Sequence, residues 1–305
     1  MSTVAALRGL LSQQGGRTAI GEPKSLYVPR AKTRLIGLRR LLAVCLGCTE
    51  QRVKHLQLLR SAIVSYDQEF VVQPVPRMSL GVIGRQARFP VQQIYCVGRN
   101  YADHAVEMGH DPSREEPFFF MKPSYSILQA GGVMTYPAMT QDLQHEVELV
   151  VALGRGGQDI DVAQASDCIY GYGVGIDMTR RDLQSHAKAQ SRPWDAGKSF
   201  LHSAPCSALV PRFDTGNINA GGISLAVNGE TRQSGDLAQM LWKVPEIISR
   251  LSMLFVLQAG DLIFTGTPKG VGPVQPGDTM NARINGVGEL SIRVADTILS
   301  ATPQR

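Results

Sequence analysis

The sequence predicts an α+β fold that is rich in β-strand. Short apolar or alternating runs, many of them rich in valine and isoleucine, recur along the chain, which also contains 31 glycines and 17 prolines. Few segments show helical periodicity, and strands do not alternate regularly with helices as they do in a doubly wound sheet. These features indicate mixed sheets with a small number of helices.

The predicted elements follow from local patterns. Strands are predicted at residues 91–97, 146–153, 171–176, 223–228, 261–265 and 288–294. Helices are predicted at residues 101–108, 162–170, 179–189 and 237–254, and Asn100 is a candidate cap for the first. Asn228-Gly229 and Asn285-Gly286 are typical of type I′ hairpin turns.

The positive charge of the chain is concentrated near its N-terminus. Residues 1–60 hold 11 of the 31 Lys and Arg residues but only two of the 26 acids. We therefore predict a basic extension at residues 1–69 and a catalytic domain at residues 70–305. The extension has the composition of an organelle transit peptide or is a simple appendage, so we expect a cytoplasmic protein, or a mitochondrial matrix protein if it is a transit peptide.

The remainder of the chain is mildly acidic and lacks the basic stripe of a nucleic-acid-binding surface. Apolar runs are much shorter than the ~18 residues of a membrane-spanning helix, so no membrane partner is expected. Five scattered cysteines do not resemble a disulfide framework.

Two acids on one predicted strand are the first candidate for chemistry. Glu146 and Glu148 are two residues apart, so on a strand they share a face. Asp177 follows the glycine-rich strand at residues 171–176. Three carboxylates without cysteine or a ligand-spaced histidine pair favour a hard cation, Mg²⁺ or Mn²⁺. The alternatives are a solvated acidic pair and, for Asp177, a cap of the following helix, a role that is compatible with binding a metal.

His104 and Glu107 are three residues apart on the first predicted helix and are neighbours on one face. A carboxylate beside an imidazole makes it more basic and orients it, as a water-activating base requires. The alternative is an ordinary surface ion pair.

Together these residues belong to a series of motifs that resembles the fumarylacetoacetate hydrolase family. In order along the chain, the motifs are YCVGRNYADH at 95–104, FMKP at 120–123, HEVE at 145–148, GIDMTRRDLQ at 175–184, GKSF at 197–200 and TGTPKGVG at 265–272. RFPV at 88–91, FFFMKP at 118–123 and RPWD at 192–195 are most similar to the fumarylpyruvate hydrolases within that family.

The resemblance implies a fumarylacetoacetate hydrolase-type mixed β-sandwich roll that forms homodimers. It implies that Glu146, Glu148 and Asp177 bind Mg²⁺ or Mn²⁺, and that His104 and Glu107 form a water-activating dyad. It also implies pocket positions for these residues: Arg181, Gln184, Lys198 and Thr267, of which Lys198 is expected to take part in catalysis. Residues 1–69 have no counterpart in compact family members.

The implied activity is hydrolysis of the C3–C4 bond of an acylpyruvate, a 2,4-dioxo acid. Fumarylpyruvate would give fumarate and pyruvate in gentisate-type aromatic catabolism. The alternatives are an oxaloacetate decarboxylase or a 2-oxo acid isomerase of the same superfamily, and a metal-binding or scaffold protein without turnover.

Overall fold

A computed structural model describes residues 71–103 and 115–298 of the chain. The described residues from Val75 onward belong to one compact unit. The predicted extension at residues 1–69, its boundary, and the dyad residues His104 and Glu107 lie outside the described residues. Within the described part, no helix is long and apolar enough to cross a membrane.

The structure is built mainly of short strands. They are β1 (Ser79–Val82), β2 (Arg85–Pro90), β3 (Ile94–Gly98), β4 (Phe118–Lys122), β5 (Ile127–Gln129), β6 (Val133–Tyr136), β7 (Leu143–His145), β8 (Val147–Leu153), β9 (Ile169–Ile176), β10 (Thr179–Arg180), β11 (Ala204–Cys206), β12 (Val210–Pro211), β13 (Gly222–Val227), β14 (Glu230–Asp236), β15 (Leu262–Phe264), β16 (Gly272–Pro273), β17 (Thr279–Ile284) and β18 (Gly288–Ile298).

The helices are short. They are α1 (Val162–Ala165), α2 (Arg181–Ala189), α3 (Asp195–Lys198), α4 (Arg212–Thr215) and α5 (Val244–Leu254), with 3₁₀ turns at Ser124–Ser126, Ser166–Cys168 and Leu237–Gln239.

Two large sheets enclose the main core. One has the strand order β4-β3-β15-β8-β9-β11-β5, with β12 also paired to β9, and the other has the order β14-β13-β17-β18-β6. Strands β13, β17 and β18 of the second sheet contact β8 and β9 of the first. The larger apolar cluster lies between these sheets, and a smaller one lies against the opposite face of the first sheet. The predicted β-rich mixed fold is confirmed.

Strand β8 is buried along its whole length, whereas the sequence suggested one core face. Val147, Leu149 and Val151 enter the larger cluster, as alternation predicts. Val150 and Ala152 enter the smaller cluster on the other face. The reason is that β8 lies between β15 and β9 in the middle of its sheet, where both faces are covered. Glu148 therefore projects from a strand that solvent does not reach.

Several helix boundaries differ from the sequence prediction. The segment 237–254 is divided into a 3₁₀ turn and α5, because Pro245 cannot donate the hydrogen bond required inside a helix and lies instead in the first turn of α5. Residues 179–180 form β10 against β7, so α2 begins only at Arg181. The helix predicted at 162–170 ends early, because β9 already begins at Ile169.

The two predicted hairpin turns differ. Asn228 and Gly229 have φ of 51° and 83° and connect β13 to β14, as a type I′ turn requires. At the second turn Gly286 has a positive φ, of 77°, but Asn285 does not, and three residues separate β17 from β18. The type I′ prediction is therefore wrong there.

Candidate functional site

Three carboxylates converge at one end of the β8–β9 pair. Glu146 lies between β7 and β8, Glu148 lies on β8, and Asp177 directly follows β9. Each offers an oxygen atom, and these three atoms lie within 4.8 Å of one another. All three residues are buried. The alternative interpretation of Glu146 and Glu148 as a solvated acidic pair is therefore wrong.

The backbone fixes the positions of these acids. The Asp177 N–H donates to the Glu146 carbonyl at 2.8 Å, which ties the end of β9 to the start of β8. Glu148 pairs with Gly175, where an added Cβ would meet Val150 and Phe264 side chains at 2.5–2.6 Å. The glycine-rich sequence of β9 thus allows close packing beside the acids.

Three cationic side chains face the three carboxylates. The Lys198 ammonium group donates to Glu146 Oε2 at 2.8 Å, to Asp177 Oδ2 at 2.7 Å and to Thr179 Oγ1 at 2.7 Å. The Arg181 guanidinium forms an ion pair with Glu146 Oε1. Although burial opposes its charge, Asp177 and Glu146 raise the pKa of Lys198. In this structure Lys198 is a counter-ion of the acids.

Lys122 is a third cation that sequence analysis missed. Its side chain is fully buried at the end of β4, and Nζ lies 2.8 Å from Asp177 Oδ1. The ammonium group also donates to the carbonyls of Met178, at 3.1 Å, and Lys198. Asp177 therefore binds two lysines and does not cap a helix, which corrects the alternative left open for it. The available signal in the sequence was a lysine at the end of the apolar run 118–121. A lysine that is buried at such a position requires an acidic partner, which would have indicated an ion pair.

Glu148 is the least compensated of the three acids. Its Oε2 accepts the Gly266 N–H at 2.7 Å. Burial, followed by the charges of Asp177 and Glu146, raises the pKa of Glu148 well above its ordinary value. A divalent cation among the three carboxylates would remove this penalty, and oxygen-only donors suit Mg²⁺ or Mn²⁺. The residues present are able to bind a divalent metal ion.

A cavity of about 510 Å³ opens above the carboxylates. Helix α2 lines it with Arg181 and Gln184, whose Oε1 accepts from Arg181 Nη1 at 2.5 Å. Lys198 reaches the same cavity because Gly197 lies against Gln184, where an added Cβ would be 2.9 Å from its backbone nitrogen. The predicted pocket residues on α2 and α3 are thus brought together.

Thr267 also lines the cavity, but its hydroxyl bonds within the scaffold. It donates to the Val147 carbonyl at 2.8 Å and accepts from Gln233 Nε2 at 2.8 Å. Gln233, which sequence analysis missed, is fully buried, and its Oε1 accepts the Val147 N–H at 3.0 Å. The two side chains therefore hold the start of β8. No local sequence pattern indicates this long-range contact.

The Asn100 side chain bonds to distant segments of the chain, whereas most of the helix predicted at residues 101–108, for which Asn100 is a candidate cap, lies outside the described residues. Its amide nitrogen donates to the carbonyls of Trp242 and Thr265, at 3.0 and 2.8 Å. Its oxygen accepts the Trp242 N–H at 2.7 Å. Asn100 therefore ties the end of β3 to two distant segments of the chain.

Comparison with known proteins identifies the family. Residues 93–295 match the model of the fumarylacetoacetate (FAA) hydrolase C-terminal domain. A fumarylpyruvate hydrolase from Ralstonia sp. is 44% identical over 60% of this chain and 95% of the relative. The mitochondrial oxaloacetate tautomerase FAHD1 of Mus musculus is 44% identical over 67% of this chain and 91% of the relative.

A solved structure shows the same fold. The fumarylpyruvate hydrolase of Pseudomonas aeruginosa, in complex with Mn²⁺ and pyruvate, superposes with a TM-score of 0.73 at 48% identity, covering 74% of this chain and 99% of that chain. These relatives include hydrolases and a tautomerase. What they have in common is the family and the fact that they are enzymes, and not one particular reaction. The chain belongs to the fumarylacetoacetate hydrolase family and is an enzyme with hydrolase or related decarboxylase or tautomerase activity.

Proposed function

We propose that the protein hydrolyses the C3–C4 bond of an acylpyruvate and that fumarylpyruvate is its substrate, giving fumarate and pyruvate. The observation that carries this proposal is the buried carboxylate triad, two members of which, Glu146 and Glu148, line a cavity. Arg181, Gln184 and Lys198 line the same cavity. Similarity to a fumarylpyruvate hydrolase that binds Mn²⁺ and pyruvate supports it.

Glu146, Glu148 and Asp177 would hold Mn²⁺ or Mg²⁺. When bound, such an ion supplies a Lewis acid for the negative charge that develops on the pyruvate oxygens as C3–C4 breaks. The protein groups bind and orient the substrate above it. Arg181 already fixes the Gln184 amide through its oxygen, so the amide hydrogens can donate to the C4 oxygen.

Lys198 would stabilise the C4 oxyanion by exchanging one of its three hydrogen bonds. The bond to the neutral Thr179 hydroxyl is the one whose loss leaves no carboxylate unpaired. The ammonium would then remain bonded to Glu146 and Asp177 while donating to the substrate. Preorganised donors of this kind act where charge develops during reaction.

The attacking water requires a base, which we assign to His104 assisted by Glu107. His104 would take a proton from water while the oxygen bonds to C4. Cleavage then leaves fumarate, and the proton is delivered to C3 of the pyruvate fragment. This assignment rests on the family motif and on the spacing of the two residues.

A second candidate is action on oxaloacetate, by decarboxylation or tautomerisation. It is favoured by the oxaloacetate tautomerase relative, which is as similar in identity as the Ralstonia fumarylpyruvate hydrolase. These reactions need the same carboxylate triad but no attacking water. The alternative of a scaffold without turnover is disfavoured by the family membership.

A substrate panel tests the proposal. Full-length protein loaded with Mn²⁺ is assayed against fumarylpyruvate, acetylpyruvate and oxaloacetate, with pyruvate release measured in each case. We expect kcat/KM for fumarylpyruvate to exceed that for oxaloacetate decarboxylation by at least tenfold. Faster turnover of oxaloacetate, with no hydrolysis of either acylpyruvate, would refute the hydrolase assignment.

We also propose a homodimer that acts in gentisate-type catabolism in the cytoplasm. The mitochondrial matrix is the alternative, supported by the mitochondrial relatives and the arginine-rich segment 1–69. Light scattering in solution tests the dimer. Mass spectrometry of the N-terminus of the native protein shows whether this segment is removed, as import requires.

A further inference from the structure

The cavity extends away from the carboxylate triad along two elements. On α2, Arg181 contacts Glu146, whereas Lys188 is seven residues further on and also lines the cavity. Seven residues of helix rise about 10 Å. Since Arg181, Gln184 and Lys188 follow i, i+3 and i+7 spacing, they form one stripe along the helix.

The course of strand β4 independently indicates that the cavity extends away from the carboxylate triad. Its last residue, Lys122, contacts Asp177, whereas its first residue, Phe118, pairs with Gly98. Four residues of strand span about 13 Å. The Phe118 ring lies against Gly98 and meets the Trp194 ring edge-on at a centroid distance of 5.2 Å. Phe118 and Trp194 thus form an aromatic wall at the distal end of the cavity.

Two cations meet at this distal end. Arg99 follows β3, and its guanidinium lies 5.3 Å from the centroid of the Phe118 ring. Burial, followed by the charges of Arg99 and Arg181, lowers the pKa of Lys188. Glu146 and Glu148 line the opposite end of the cavity. Glu115 approaches Arg99 to 3.7 Å but is 63% exposed, so solvent weakens this ion pair.

Arg99 has an unusual backbone conformation. Its φ is 57°, a left-handed conformation that residues other than glycine adopt infrequently. Such conformations persist where the surrounding structure imposes them, and they are frequent at binding sites. The Arg99 guanidinium lies over Phe118 at the cavity, where a planar guanidinium can bind a carboxylate through two parallel hydrogen bonds.

We propose that Arg99 and Lys188 form a distal carboxylate subsite, which selects acylpyruvates that carry a second carboxylate at the end of the acyl group. The inference rests on the proposed function and names the substrate class. Six carbon–carbon bonds in a zigzag separate the terminal carbons of fumarylpyruvate by roughly 7–8 Å. This length is shorter than the ~10 Å that α2 rises from Arg181 to Lys188, so the proposal requires the side chains at the two ends to reach inward. The flat unsaturated chain would pack against the aromatic wall.

Shorter or uncharged substrates would not use this subsite. Acetylpyruvate has the same metal-binding half but ends in a methyl group. The two terminal carboxyl carbons of oxaloacetate are only about 4 Å apart, so its second carboxylate stays near the triad. The subsite therefore separates substrates by the length and the charge of the acyl group.

The test compares fumarylpyruvate with acetylpyruvate in the Mn²⁺-loaded, full-length enzyme. The variants are Arg99→Asn, which retains a residue tolerant of positive φ, and Lys188→Gln. Arg155→Gln is the matched control, because Arg155 is a 61%-exposed surface cation outside this cavity. Because each variant removes a charged hydrogen bond, we expect kcat/KM for fumarylpyruvate to fall by about tenfold or more, mainly through KM.

For the same two variants, acetylpyruvate turnover and inhibition by oxalate should change by less than threefold. The control should leave all three values unchanged. If both substrates are affected equally, or neither is, the subsite is wrong while the hydrolase proposal stands. If the wild-type enzyme hydrolyses neither acylpyruvate, both proposals fail.

Discussion

Removing the charge of Lys122 should destabilise the protein strongly. Lys122→Met keeps a long unbranched side chain but leaves Asp177 with one cation fewer and leaves the carbonyls of Met178 and Lys198 without this donor. Removing one partner of a buried ion pair costs about 3–5 kcal/mol. For a domain of this size, each kcal/mol shifts Tm by about 2–4 °C, so Tm should fall by roughly 6–20 °C.

The assay is thermal unfolding followed by circular dichroism, with EDTA and with Mn²⁺. Mn²⁺ should reduce the loss, because it restores positive charge beside Asp177. Lys122→Met combined with Asp177→Asn should recover much of the stability in EDTA, since the unpaired charge is then absent. Lys269→Met is the matched control, because its ion pair with Asp103 is 60% exposed on both sides.

Two results would refute this reasoning. One is a decrease in Tm of less than about 2 °C for Lys122→Met, which would mean that the ion pair contributes no more than a surface pair. The other is a double variant that is no more stable than Lys122→Met, because the loss would then come from packing and not from an uncompensated carboxylate.

Four further predictions concern the site and the domain boundary. EDTA should abolish turnover and Mn²⁺ should restore it, whereas Glu148→Ala should stay inactive with Mn²⁺ present, as pyruvate release will show. His104→Ala should lower kcat by roughly 100-fold or more with unchanged Mn²⁺ affinity; a loss of Mn²⁺ in a binding titration would contradict its role as a base. Gly197→Ala should lower kcat/KM, because the new Cβ meets the Gln184 backbone at 2.9 Å and must displace α2 or α3. A protein starting at Phe70 should remain folded and active; insolubility would show that residues 1–69 contribute to the core or the oligomer.

Local patterns predicted much of the strand content. The signals for a strand, which are alternation of apolar and polar residues and glycine-rich runs, are contained within a few neighbouring residues. The spacing of Glu146 and Glu148 and the position of Asp177 indicated the triad for the same reason. What local patterns could not show is how the charges are balanced. Lys122 bonds to carbonyls that are 56 and 76 residues away.

The break at residues 237–254 shows a different limit. Helical periodicity continues across it, and the competing signal, Pro245, is compatible with the first turn of a new helix as well as with an interruption. Asn100 shows the same limit, since its residue type suits a helix cap locally, and its bonds to residues 142 and 165 positions away have no local signal. At residues 237–254 the tertiary structure overrides the local helical preference.

The balance of three carboxylates against Lys122, Lys198 and Arg181 has a thermodynamic consequence. A metal ion that enters this set adds uncompensated positive charge, and an anionic substrate removes it. Metal and substrate therefore favour each other's binding, and linkage makes the effect reciprocal: each raises the affinity of the other by the same factor. Substrate present during dialysis should slow the loss of metal, and the apparent KM should decrease as the metal concentration rises.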